Sequence, residues 1–143
     1  MDHSLTYTKS LRCAAGVESI WDALVNPEKI KEYLFGTEAI SDWKVGSPLF
    51  FQGEWEGKAY KDKATILEFE VNRRFSYNYW SGFSGLEDIP ENYSTVVFEL
   101  ISEEDETTLI LNQTGFKNEE ALKHTEANWS MVLEKIKILA ERK

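Results

Sequence analysis

Between Ser4 and Arg12 the side chains alternate, with Leu5, Tyr7, Lys9 and Leu11 on one side and Ser4, Thr6, Thr8 and Ser10 on the other. Successive side chains of an extended chain point to opposite faces, so this segment predicts a half-buried first strand that Gly16 ends. From Val17 the period changes. Val17, Ile20, Trp21 and Leu24 fall at i, i+3, i+4 and i+7, the spacing of one face of a short helix. Asn26-Pro27 then restarts the backbone, because asparagine caps a helix well and proline suits its first position. A second short helix is predicted from Pro27 to about Leu34, closed by Gly36.

Beyond the loop Ser41-Asp42-Trp43-Lys44-Val45-Gly46 the chain reads as strands joined by tight turns, at approximately 48–55, 58–70, 74–80, 93–102 and 107–115. Connections this short favour an antiparallel meander over crossover units. From Asn118 onward the helical period returns. Leu122, Thr125, Trp129, Val132, Leu133, Ile136, Leu139 and Ala140 share an arc of roughly 120° at about 100° per residue, which predicts a long amphipathic helix. Met131 and Ile138 point the opposite way, as isolated exposed apolar residues or as a dimer contact, so the chain reads as a monomer or a weak homodimer. The result is one α+β domain spanning residues 1–143. A six-stranded curved antiparallel sheet is covered by the C-terminal helix, and two short helices follow strand 1. A single helix cannot fill a deep concave face, so an apolar cavity between sheet and helix is expected as the binding site.

Strand parity nominates the residues that face it. The more apolar side of the first hairpin carries Leu49, Phe51, Gly53 and Trp55. The matching positions on later strands are Tyr60, Ala64 and Ile66; Phe75, Tyr77 and Tyr79; Val96, Phe98 and Leu100; and Leu109, Leu111 and Gln113. Trp129 and Leu133 would close the pocket from the helix. Taken singly, these are ordinary core positions. The polar tips of Tyr60, Tyr77, Tyr79 and Gln113 suggest more, since buried phenols and amides need partners that a ligand or an ordered water can supply. The segment 80–90 carries Trp80, Phe83, Leu86 and Ile89 among glycines, and reads either as a lid over the pocket mouth or as packing on the sheet edge.

Charge and composition narrow the function classes. The chain has 25 acidic and 16 basic residues, a net charge of −9, which disfavours nucleic acid and anionic membrane as partners. At 42% hydrophobic with short apolar runs it should fold in water, and Met1 to Leu5 lack the features of a secretory signal, so a cytoplasmic protein is expected. The single cysteine, Cys13, excludes an internal disulfide and reads as a packed strand-end residue. The acidic run Glu103-Glu104-Asp105-Glu106 lacks the spacing of a cation loop and reads as a solvated hairpin tip. His3, in a frayed terminus, and His124, near the start of the last helix, are too far apart in sequence to suggest a metal or triad site. Asp62 shares parity with Tyr60 and Ala64, so a buried acid there could act as a general base. Beside Lys61 and Lys63 it reads more simply as a strand-end carboxylate in water. No cofactor and no metal is called for, and no glycine-rich phosphate loop is present.

Five segments in order carry a family resemblance. They are Val17-Glu18-Ser19-Ile20-Trp21-Asp22-Ala23-Leu24 with Asn26-Pro27-Glu28-Lys29-Ile30; Ser41-Asp42-Trp43-Lys44-Val45-Gly46; Leu67-Glu68-Phe69 with Arg73-Arg74-Phe75-Ser76-Tyr77; Thr108-Leu109-Ile110-Leu111 with Thr114-Gly115-Phe116; and Trp129 with Leu133. Over nearly its whole length the chain resembles the helix-grip (START-like) superfamily, SRPBCC, and within it the proteins related to the activator of the heat-shock protein 90 ATPase. Val71-Asn72, Gln113 and Asn128 depart from residues frequent in that family, and Gln113 replaces a histidine. The resemblance implies a helix-grip fold and heat-shock protein 90 as a possible partner. The leading expectation is a non-enzymatic binder of a small hydrophobic molecule, aromatic or lipid-like. The alternatives are a co-chaperone-like module and a polyketide cyclase-like enzyme, for which Asp62, Gln113 and the tyrosines would be the candidates.

Overall fold

The computed structural model describes every residue except Phe83 and Lys143, and the side chain of Trp55 also lies outside the described residues. Alternation produces the first strand, β1 (Asp2–Cys13), and the change of period at Val17 produces α1 (Val17–Val25) and α2 (Pro27–Tyr33). Asn26 serves both helices: its N–H donates to the Asp22 carbonyl at 2.9 Å, and its side-chain oxygen accepts from Glu28 N at 3.1 Å. This double cap is why two helices follow each other with a single residue between them. At the far end of α2, Gly36 N donates to Lys31 O at 2.8 Å while Phe35 and Gly36 take φ of 54° and 89°, a left-handed closure of the helix.

The remaining strands are β2 (Glu38–Ser41), β3 (Pro48–Trp55), β4 (Lys58–Glu70), β5 (Arg74–Trp80), β6 (Ser94–Glu103) and β7 (Glu106–Phe116), followed by α3 (Glu119–Glu141). They form one antiparallel sheet in the order β1-β7-β6-β5-β4-β3-β2. The sheet therefore has seven strands where the pattern predicts six. The additional strand, β2, pairs along β3 from Glu38↔Gln52 to Ser41↔Leu49. Its hydrophobic signal is inverted: the small Ala39 faces the core, while the larger Ile40 is 47% exposed.

Because β1 and β2 are opposite edges, the chain between them must cross the full width of the sheet, and α1 and α2 are that crossing. They pack with α3 on one face, and α3 lies against β1, β7 and both short helices. The core between sheet and helices includes Leu49, Ile66, Leu109, Leu111, Leu133 and Ile136, all at most 1% exposed. Two further sequence readings need correcting. His3 is not in a frayed end: it lies in β1, and its Nε2 is 2.8 Å from Glu91 O. Asp62 is not a strand-end carboxylate in water, since it sits mid-strand in β4 and is 8% exposed. No helix among the described residues is long and apolar enough to cross a membrane.

Candidate functional site

The strand β5 reads Arg-Phe-Ser-Tyr-Asn-Tyr-Trp, and its parity turns Phe75, Tyr77 and Tyr79 toward the helices. Aromatic side chains on neighbouring strands meet them. Phe75 and Phe98 stack at 6.2 Å between centroids, Phe51 lies 5.8 Å from Tyr77, and Trp129 of α3 meets Phe98 edge-on at 5.7 Å. Rings fill space in discrete plates, and where they meet the helical cover they leave a cavity of about 30 Å³. The sheet contributes Leu49, Phe51, Phe75, Tyr77 and Phe98 to its wall. The cover contributes Leu24 of α1, Ile30 and Tyr33 of α2, Leu34, Trp43 and Trp129.

Five of the residues nominated by strand parity, Leu49, Phe51, Phe75, Tyr77 and Phe98, thus come together at the cavity with Trp129 from the helix. Ile66, Leu111 and Leu133 lie in the closed core outside its wall. Tyr60 is half-buried and its hydroxyl bonds to Thr37 Oγ1. The side chain of Trp55 is outside the described residues. The cover differs from the expected one, because α1 and α2 supply more of the wall than α3. Tyr33 was missed by counting strand parity alone. Its signal was the pair Ile30 and Tyr33, three apart on one face of α2.

Two polar networks flank the cavity. In the first, Trp129 Nε1 donates to Gln113 Oε1 at 2.7 Å and Gln113 Nε2 donates to Ser94 Oγ at 3.2 Å, so Gln113 locks α3 onto β7 and β6. In the second, Asp62 accepts from Tyr79 Oη at 2.5 Å and from Gly82 N at 2.9 Å. Burial first, and then the neighbouring Asp62 carboxylate, push the Tyr79 phenol well above its ordinary pKa. Asp62 therefore anchors the segment after β5. The same segment is tied by Lys63 Nζ to Asp88 at 2.7 Å and by Trp80 Nε1 to Leu86 O at 3.2 Å. For the described residues of 80–90, which leave out Phe83, these bonds favour the sheet-edge reading over the free lid.

The hydroxyls of Tyr33 and Tyr77 are different. Both residues are 6% exposed, both line the cavity, and neither oxygen has a hydrogen-bond partner among the described residues. Burial holds both phenols neutral, well above the usual tyrosine range, and for Tyr33 the proximity of Tyr77 adds to the effect. The surrounding wall is apolar and carries no charged side chain. Among the described residues no three of His, Cys, Asp and Glu are placed to hold a metal. The broad depression outside α2, lined by Asn26, Glu28, Lys29, Lys31, Glu32 and Gly36, is open surface with mixed charge and encloses nothing.

A family model for "Activator of Hsp90 ATPase homolog 1-like protein" matches residues 14–141. The chain belongs to this family. Among solved structures it is similar to ChR145 from Cytophaga hutchinsonii, at 42% identity and a TM-score of 0.83, covering 96% of this chain and 94% of that one. Two more distant likenesses show the same fold. PFC0360w of Plasmodium falciparum, described as an HSP90 activator, has 18% identity, a TM-score of 0.76, and coverage of 94% of this chain and 95% of that one. The Aha1 dimer of Colwellia psychrerythraea has 16% identity, a TM-score of 0.75, and 96% coverage of both chains. No curated protein matches. Activator-homolog-like chains belong to the SRPBCC superfamily, in keeping with an antiparallel sheet gripped by a C-terminal helix.

Proposed function

We propose that this protein binds a small apolar molecule, aromatic or lipid-like, between the sheet and its helical cover, without acting on it chemically. The observation that carries this reading is the pair of neutral, unbonded phenols in an otherwise apolar wall. Buried polar groups are nearly always satisfied, and neither of these oxygens is fully enclosed, so an atom held in the cavity can reach them. A fold that only needed to pack could have placed phenylalanine at both positions. The cavity of about 30 Å³ is far below the roughly 300–1,000 Å³ of a site for a drug-sized ligand, so binding requires the cover to move. The non-catalytic form of the reading is supported by Asp62 and Gln113, whose side chains are committed to internal hydrogen bonds. Native mass spectrometry of the protein purified from its own cells tests it. A reproducible one-to-one small organic molecule is expected. An empty protein, with no thermal shift across a panel of apolar aromatic and acyl compounds, would remove the reading.

A second reading is a protein-interaction module for the Hsp90 chaperone. It is favoured by the family match and by the Plasmodium protein described as an HSP90 activator, of whose chain the match covers 95%. A stimulated ATPase rate of the chaperone from the same organism is the expected result, and an unchanged rate removes the idea.

A further inference from the structure

Resting on the ligand-binding reading, the geometry points to what the ligand must carry. We propose that the Tyr33 and Tyr77 hydroxyls form a two-donor seat for one neutral carbonyl oxygen of an otherwise apolar ligand, and that a single water holds the seat when no ligand is present.

Tyr33 comes from the crossing helix α2 and Tyr77 from the central strand β5, so the two phenols reach the cavity from opposite walls. They are close enough for charge on one to disfavour charge on the other, yet no hydrogen bond joins them. Each phenol remains protonated throughout the physiological range and has an O–H to donate. Neither oxygen is completely sealed. The one fully enclosed side-chain nitrogen or oxygen without a hydrogen bond among the described residues is Nε of Arg74, which is itself paired with Glu68 at 2.6 Å. A cavity of about 30 Å³ exceeds the roughly 10–15 Å³ needed to hold one water molecule, and such a water needs two or more polar partners. The two phenols supply them.

The charge of the acceptor follows from the wall. Leu24, Ile30, Leu49, Phe51, Phe75 and Phe98 surround the seat, and no cation is present to offset a buried carboxylate. The net charge of −9 further disfavours anions. Ketones, esters and quinones have the required acceptor without that cost. The rings of Phe51, Phe75, Phe98 and Trp129 supply flat apolar contact for the rest of such a molecule.

Acetophenone and α-methylstyrene have nearly the same shape and differ in having C=O or C=CH₂ at one position. Dissociation constants for both, and for benzoate, are read from NMR titrations that follow the indole N–H of Trp129, assigned by its loss in Trp129→Phe. Two hydrogen bonds of ordinary net strength correspond to a preference of about tenfold or more for acetophenone over α-methylstyrene in the unsubstituted protein. Benzoate is expected to bind more weakly than acetophenone. Tyr33→Phe and Tyr77→Phe each shrink the preference, and the double variant abolishes it while still binding α-methylstyrene. Equal affinity for the two matched probes, or a preference that survives in the double variant, overturns the seat and leaves the pocket standing. Tighter binding of benzoate overturns the neutral-carbonyl assignment. If none of the probes binds, the seat and the pocket reading both fail. The comparison of probes on the unsubstituted protein decides the matter even if a variant does not fold.

Discussion

At the scale of single residues, environment decides chemistry more than residue type does. Cys13 ends β1 with no exposed surface, and burial, reinforced by the nearby Glu141 carboxylate, pushes its thiol up to about 11. An unfolded thiol ionises near pH 8.5. Between these values the unfolded chain gives up a proton that the folded chain retains, so the thiol's contribution to stability is complete below about pH 8.5 and is lost as pH rises toward about 11. Urea denaturation across that window should show stability falling, with a smaller fall in Cys13→Ala. The same burial predicts that the native thiol resists a disulfide reagent at pH 8 and reacts on unfolding. Packing at Cys13 was legible from its place at the end of an alternating run. The roles of Asp62 and Tyr33 were not: an internal carboxylate beside two lysines looks solvated, and Tyr33 reaches the site from a helix that strand parity does not count.

At the scale of elements, six of the seven strands and all three helices are written in the period of the apolar residues, because each has one face that must be buried. The exception, β2, has four residues and turns its isoleucine outward, so neither length nor pattern marks it. Its neighbour β3 shows what holds that edge. Gly53 stands opposite Tyr60 in the ladder, and a Cβ on Gly53 would lie 2.7 Å from the Tyr60 hydroxyl oxygen and 3.0 Å from Cζ. The Tyr60 ring can lie across β3 only because residue 53 has no side chain, and there its hydroxyl reaches Thr37, just before β2. Gly53→Ala must push that ring aside and weaken the bond to Thr37. A cost of about 1–3 kcal/mol in urea denaturation is expected, the range for overpacking a filled site. In a Tyr60→Ala background the same glycine substitution should cost much less, and an undiminished cost would show that the ring is not what the new methyl meets.

At the scale of the whole molecule, the question is how much of the surface is prepared for another chain. The charged groups are spread in exposed pairs, such as Arg12 with Glu103 and Glu106 at 3.2 and 3.1 Å, and pairs of this kind contribute little to stability or docking. The outward face of α3 offers Met131 at 44% exposure and Ile138 at 59%, seven residues apart, the spacing that marks a helix-to-helix seam when it is repeated. Here it occurs once. The flanking positions, the exposed Glu134 and the half-buried Lys135, are charged, and two apolar side chains fall far short of the roughly 800 Å² per partner that a stable dimer buries. A distant relative of the same fold is described as a dimer, but at 16% identity its surface residues do not carry over to this helix. The protein should therefore sediment as a monomer at concentrations of about 10–100 μM, and Met131→Glu combined with Ile138→Glu should leave the sedimentation coefficient unchanged. A dimer dispersed by those two substitutions would assign α3 as a self-association surface. Without one, α3 acts mainly through its inner face, where Trp129 joins the aromatic wall and Gln113 holds it in place.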